Sequence, residues 1–481
     1  MKHLLRCMLC AVLAAGLMCV PAFAAQESAP ERQGDFYVLV NGEYATFTDA
    51  VPQIRNNRSC LPFAAVFEQL GFPSDGMSWD QSTKTVTAVK DGLTLSLTIG
   101  QPVITLTDGE GRREITADTA PYVDPDTNRT YVPFGLVADA LGYRVGWDSS
   151  MRAVIIDDVD AILAKNTATY DLMDQYLAYA QTFSQGSQEI LGKYAMEMDI
   201  ASSLENKPLE ISFDLNGDYT ALSAGAAQMQ FKTEMAMAMK AALDGEEISE
   251  VTEALGELPE SIDMELRGDL SSGVLYIQSA ALAEMMGQPG MAGSWYKLDL
   301  AGMFDSLGME YSALMELALG VTEETSFQAY LSQLLALVPL TSVDATTTDT
   351  LTVLNDILAD AAFQQSGDSY VNTIMDEDGI QCVLTLHAKD GAVNGCALKM
   401  TAEDASFGKL QMGYDLTDSK MTMELGMDLS LDELGTAAFS ITMDGTYTPT
   451  DKVPEVEPPA GAAVVDLSGI LDAPGVLPSA A

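Results

Sequence analysis

Phe63, Val66, Phe67 and Leu70 recur at i, i+3, i+4 and i+7 and predict one apolar stripe on a short helix. Pro62 suits the first turn of that helix, where its missing N–H needs no partner, and Gly71 supplies a left-handed stop. The same arrangement returns at Pro133, Phe134, Val137, Ala138, Leu141 and Gly142. Arg58 to Gly71 maps onto Arg129 to Gly142 at one constant offset, so the chain carries an internal duplication. Each helix leads to a Trp-Asp pair, Trp79-Asp80 and Trp147-Asp148, and then to a β-rich run, Thr85 to Val89 and Ala153 to Ile156. Phe36 to Phe47 reads as a hairpin turning at Asn41-Gly42, and Leu93 to Ile99 with Pro102 to Leu106 as a further strand pair. In this reading Pro62, Leu70, Gly71, Trp79, Pro133, Leu141, Gly142 and Trp147 are the structural anchors of the repeat, with both tryptophans in the core.

Beyond Asp157 the period changes. Ala161 to Phe183 predicts a helix with Leu172, Tyr176, Tyr179 and Phe183 on one side. Long alternating strands follow: Met196, Met198 and Ile200 against Glu197 and Asp199, then Ile211 and Phe213 against Ser212 and Asp214, then Met235, Met237 and Met239 against alanines. A helical middle covers Phe304 to Ala318, Phe327 to Val338 and Leu351 to Phe363, and strands resume from Tyr370 to Thr446. The expected fold class is α+β: a duplicated small antiparallel β/α module followed by a curved antiparallel sheet or half-open barrel with covering helices. The expected boundaries are a leader at 1–24, a spacer at 25–35, the duplicated module at 36–157, the curved-sheet domain at 158–448, and a flexible Pro- and Ala-rich tail at 449–481.

Composition narrows the setting. The chain has 70 Asp+Glu against 24 Lys+Arg, a net charge of −46, which disfavours nucleic acid and anionic headgroups as partners. Lys2 and Arg6, the apolar run from Met8 to Val20, and Ala22-Phe23-Ala24 read as a secretory signal, with a lipoprotein alternative at Cys19 disfavoured by the large Met18 before it. No later segment approaches the roughly 18 uninterrupted apolar residues of a membrane-spanning helix. Cys60, Cys382 and Cys396 remain after the leader, an odd count that does not suit a disulfide framework. A simple turn at Asp390-Gly391 would put Cys382 and Cys396 on opposite faces of a hairpin, against a bridge.

The chain carries few residue patterns that point to chemistry. No nucleophile elbow, phosphate loop or dinucleotide fingerprint is present. Asp124, Asp126 and Asn128 begin like a calcium loop, but Arg129 and Gly135 occupy the places that need glycine and glutamate. We therefore assign no catalytic, cofactor-binding or metal residue. The 26 methionines are the remaining oddity. Met196, Met198, Met235, Met237, Met421 and Met423 are candidates to line an apolar cavity, and Met235, Met237 and Met239 form the one thioether cluster close enough in sequence to suggest copper.

Arg129-Thr-Tyr-Val-Pro-Phe, Ala-Asp-Ala-Leu-Gly and Val-Gly-Trp-Asp resemble the copper amine oxidase N-terminal-like domain, also called the stalk domain, of exported proteins of Gram-positive bacteria. The resemblance covers about residues 36 to 157 and implies a small β-rich accessory domain of the cell envelope. It does not bring oxidase chemistry: only His387 remains once the leader takes His3, and a three-histidine copper site cannot be assembled. In its organisation the second region resembles the envelope lipoprotein-carrier type of half-barrel. The resulting expectation is a secreted, non-enzymatic protein, extracellular or associated with the cell wall, with a structural, adhesion or wall-binding role and a wall polymer or envelope protein as partner. The alternative is a carrier or sensor of an apolar ligand such as a lipid.

Overall fold

The computed structural model describes residues 29–467, apart from 110, 117–118, 185, 205–206, 226, 249–260, 286–288, 307–310, 320–324, 376–378, 405–407, 418 and 431–434. The leader and the end of the tail lie outside the described residues. The chain divides into two compact units, one containing the repeat up to Ala168 together with Gln328–Asp356, the other containing Thr169–Phe327 and the chain from Ile357. The composition boundary at 157 is therefore crossed: part of the helical middle belongs with the repeat.

The repeat unit begins with β1 (Tyr37–Val40) and β2 (Glu43–Tyr44), joined by Asn41 and Gly42 at φ of 53° and 84° as a two-residue turn of the kind Asn-Gly favours. β3 (Gln53–Arg55), β4 (Arg58–Pro62) and helix α1 (Phe63–Gln69) follow, then β5 (Met77–Asp80), β6 (Thr85–Lys90), β7 (Leu93–Thr98), β8 (Val103–Asp108) and β9 (Gly111–Thr116). The second copy supplies β10 (Tyr122–Val123), β11 (Thr130–Pro133), helix α2 (Phe134–Ala140), β12 (Arg144–Asp148) and β13 (Ala153–Asp157). These strands make three sheets, ordered β12-β13-β1-β2, β10-β11-β4-β3 and β5-β6-β7-β8-β9. One core joins Phe63, Val66 and Phe67 of the first helix to Phe134, Val137 and Ala138 of the second. β1 pairs with β13 in parallel, an exception to the expected antiparallel pattern.

The helix stop was legible. Gly71 at φ +81° lets its N–H reach Glu68 O at 3.0 Å while Phe72 N–H reaches Phe67 O at 2.9 Å, closing the orphan carbonyls. Gly142 at φ +78° and the Tyr143 N–H on Ala138 O repeat it. Three anchors need correction. Pro62 is the extended residue before the helix, φ −61° and ψ 120°, and ends β4 rather than opening the first turn. Trp79 and Trp147 are not core anchors but remain 41% and 40% exposed, because their hairpin strands turn that side outward. What the Trp-Asp pair fixes is the turn: Asp80 Oδ1 accepts from Ser82 N and Oγ, and Asp148 Oδ1 accepts from Ser150 N and Oγ.

Residues 328–356 dock on the second copy and on the β1–β2 hairpin, where Thr348 Oγ1 donates to the Asn41 carbonyl and Leu340 and Val343 pack with Leu39. Arg144 donates to the carbonyls of Leu335 and Val338, Asp148 Oδ2 accepts from Val343 N at 3.0 Å, and Asp157 Oδ2 accepts from Thr347 N at 3.0 Å. Gly146 meets the Leu340 backbone so closely that no Cβ would fit.

The predicted 161–183 helix is broken into α3 (Val159–Lys165) and α4 (Asp171–Ser184). The other unit then builds β14 (Ser187–Leu204), β15 (Lys207–Ala224), β16 (Gln228–Leu243), β17 (Glu246–Glu247), β18 (Ser261–Asp269), β19 (Val274–Gln278) and β20 (Trp295–Asp299). Helix α5 (Ala280–Met285) lies between β19 and β20, and α6 (Leu300–Ser306), α7 (Tyr311–Leu319), α8 (Phe327–Leu337) and α9 (Thr347–Leu358) follow. Strands resume as β21 (Gln364–Ser366), β22 (Ser369–Met375), β23 (Gln381–Lys389), β24 (Ala392–Asp404), β25 (Gly408–Leu416), β26 (Lys420–Ser430), β27 (Thr436–Thr450) and β28 (Val464–Asp466). All belong to one 15-stranded sheet, in which β27 pairs with β14 and so joins the strands after the helical middle to those before it.

The tail after 449 was expected to be flexible, and its described part is docked. β28 pairs in parallel with β20, and Arg267, whose side chain is 7% exposed, ion-pairs with Glu455 and donates to the Glu457 carbonyl. A guanidinium this buried needs partners, and the tail supplies them along with Glu265 and the face of Trp295.

Candidate functional site

The large sheet has one face that is uncharged over its middle rungs. Residues opposite each other across antiparallel strands share a face, so the pairings read directly as rungs. One rung runs Met400, Met412, Leu425, Ile441, Met196, Leu215 and Met237. The next runs Leu398, Tyr414, Met423, Met443, Tyr194, Gly217 and Met235. From the rung of Gly192 to that of Met198 no charged residue stands on this side, although 20% of the chain is charged. Glu197, Asp214, Asp199 and Asp428 all take the other side.

Helix α4 closes one end of the face. It packs on β24, with Gln175 Oε1 accepting from Val393 N and Tyr176 Oη within 3.5 Å of Cys396 Sγ. Beneath it Ile190, Leu416, Met421 and Tyr219 are 0%, 0%, 1% and 3% exposed. Burial pushes the Cys396 thiol up to about 11 and Tyr219 up to about 12, and raises Tyr176, Tyr414 and Tyr447 as well. These groups are neutral across the physiological range and suit an apolar floor, not acid–base work. Tyr219 fits there because two glycines leave it room: a Cβ on Gly192 would stand 2.5 Å from its ring and one on Gly445 2.4 Å from its hydroxyl.

Away from α4 the face opens. Met196, Met198, Met237 and Met423 are half-buried, while Met235 and Met421 are buried. All six candidate cavity residues thus stand on one side of one sheet, and Met239 with them. None of the six lines a concavity of about 1540 Å³ bounded by the neighbouring strands from β24 to β16 near their far ends. That space mixes Ile200, Ile211 and Leu429 with Asp199, Glu210, Lys240, Glu403, Lys409 and Asp428, and its reach over so many strands shows how far the sheet curls.

None of the three cysteines is disulfide-bonded. Cys382 and Cys396 do share a face, contrary to the simple-turn expectation, because a bulge at His387/Ala388 shifts the register. Cys396 pairs with Leu386, four residues along β23 from Cys382, and that separation keeps the thiols apart. Asp124 makes a polar turn through Thr127 N and Oγ1, and the described residues hold no cluster of three or more His, Cys, Asp or Glu side chains placed to hold a metal ion. Sequence reasoning missed the Asp-x-Ser turns and the Arg267 contacts; the repeated Asp80-Gln-Ser82 and Asp148-Ser-Ser150 could have revealed the first.

The translocator domain of autotransporter NalP from Neisseria meningitidis is similar at 6% identity over 58% of this chain and 99% of that chain, with a TM-score of 0.15, a likeness too low to carry an argument. Among curated proteins none matches. Residues 39–156 match the family model of the Copper amine oxidase N-terminal domain. This segment of the chain is accordingly similar to the copper amine oxidase N-terminal domain.

Proposed function

We propose that this is an exported, non-enzymatic protein of the cell envelope in which residues 39–156 serve as a structural mount and the uncharged face of the large sheet binds an apolar ligand of the lipid class. The observation that carries the reading is the face itself: rung after rung of Met, Leu, Ile and Phe, closed by α4 at one end and only half-buried beyond it. Leaving so wide an apolar surface open costs roughly 25 cal/mol per Å², which a bound acyl chain would recover. The test is organic extraction of the full-length protein followed by mass spectrometry, with titration of the extracted protein by a long-chain fluorescent fatty acid. Co-purified lipid and saturable uptake are expected; a clean extract with no uptake would sink the proposal.

A wall-binding role for the mount draws on a separate observation, the exposed Trp79 and Trp147 at equivalent places in the two repeats. Exposed indoles offer flat faces on which sugar rings stack. The full chain should sediment with isolated cell walls, and the Trp79→Ala, Trp147→Ala double variant should remain in the supernatant. Equal sedimentation of the two would remove this role.

A further inference from the structure

Among the described strands of the large sheet, every methionine except Met375 stands on the uncharged face. An apolar surface built for binding alone has Leu and Ile at its disposal, and thioethers add one property those residues lack, oxidation to a polar sulfoxide. The side chains also divide by access. Met196, Met198, Met237 and Met423 are half-buried on the open part of the face, as are Met239, Met400, Met412, Met427 and Met443 beside them, whereas Met421 and Met235 are 1% and 6% exposed, and Met375 is 63% exposed on the opposite side.

We propose that the open part of this face is a methionine-oxidation site, at which a hydroperoxide converts Met196, Met198, Met237 and Met423 to sulfoxides and so ends binding of the apolar ligand. The inference rests on the apolar-ligand reading and adds its regulation. In each step a lone pair on the thioether sulfur attacks one peroxide oxygen. The S–O bond forms as the O–O bond breaks, sulfur loses two electrons, and the peroxide leaves as water, or as an alcohol if organic. Each sulfoxide puts a strong acceptor into a row that offers no donor from a charged side chain, so the face loses its affinity for hydrocarbon. The bound ligand, lying over these sulfurs, shields them until it departs.

The test uses the full-length, delipidated protein, hydrogen peroxide as oxidant and a long-chain fluorescent fatty acid as probe, with peptide mass spectrometry reading each methionine. Expected is early oxidation of Met375 without effect on binding. Oxidation of the four face methionines should follow and weaken uptake about tenfold or more, with Met235 and Met421 the slowest. Probe-saturated protein should oxidise more slowly at the four, and methionine sulfoxide reductases should restore uptake. A variant with all four as leucine, folded by circular dichroism, should bind the probe and lose less uptake to peroxide than the wild type. Uptake that survives sulfoxide at all four positions, or a leucine variant that loses uptake to peroxide as the wild type does, would overturn this inference alone. No uptake before oxidation would overturn the apolar-ligand reading and this inference with it.

Discussion

Leu61 and Val132, equivalent residues of the two repeats, stand directly opposite each other where β4 pairs with β11. Cys60 faces Pro133 and Tyr131 faces Pro62 on either side of them, so the pair marks a local two-fold axis between the copies. Both are fully buried. Leu61→Ala should cost about 3 kcal/mol and Val132→Ala about 2 kcal/mol in urea unfolding. Their effects should not add, because each side chain forms the wall of the other's cavity.

Gly71 and Gly142 test the helix stops separately from packing. A Cβ on Gly142 meets nothing within 4 Å, and one on Gly71 comes no nearer than 3.4 Å to the end of Lys90. The cost of Gly→Ala at either place is then the left-handed backbone alone, about 1 kcal/mol. Thermal melts of the two variants should agree closely, and a much larger loss at either would show a steric role.

Asp80 and Asp148 make the same turn but differ beyond it. Asp148 also holds Val343 N, and although burial would push its carboxyl up, bonds from Ser150, Met151 and Val343 hold it below the usual range. Asp148→Ala should speed amide exchange at Val343, whereas Asp80→Ala should leave that amide unchanged.

Asp360 accepts from Asp171 N and Leu172 N, both at 2.9 Å, and caps the helix that closes the apolar face. Burial opposes its ionisation, but the bonds from Leu172, Thr169 and Asp171 win and lower its pKa. A carboxyl lowered on folding stabilises above its unfolded value, about pH 4, and that contribution fades as pH falls toward the folded pKa. Asp360→Ala should cost about 1 kcal/mol at neutral pH and less in acid, measured by urea unfolding across that window.

Asp157 has the opposite sign. Burial pushes its carboxyl up despite the bonds from Thr347 and the attraction of Arg144. Its contribution is full below about pH 4 and is lost as pH rises through the higher folded value. Asp157→Asn, which keeps an oxygen for Thr347 N–H, should change neutral stability by less than about 1 kcal/mol and remove this component of the pH dependence.

The sequence by itself determined the repeat and the faces. Constant spacing from Arg58 to Gly71 and from Arg129 to Gly142 encodes helix start, stripe and stop locally, through φ preferences and helical periodicity. Alternation at Met196, Met198 and Ile200 assigned each side chain to a side before any strand pairing was known. Tertiary structure decided what no local rule contains: which side of Trp79 and Trp147 meets solvent, and that the bulge at His387 turns Cys396 to the face of Cys382. It also decided that residues 328–356 dock on Arg144, Asp148 and Asp157, and that the tail satisfies Arg267. Those outcomes depend on partners far away in the chain, whose geometry is set only when long-range pairing and the burial of charge are satisfied together.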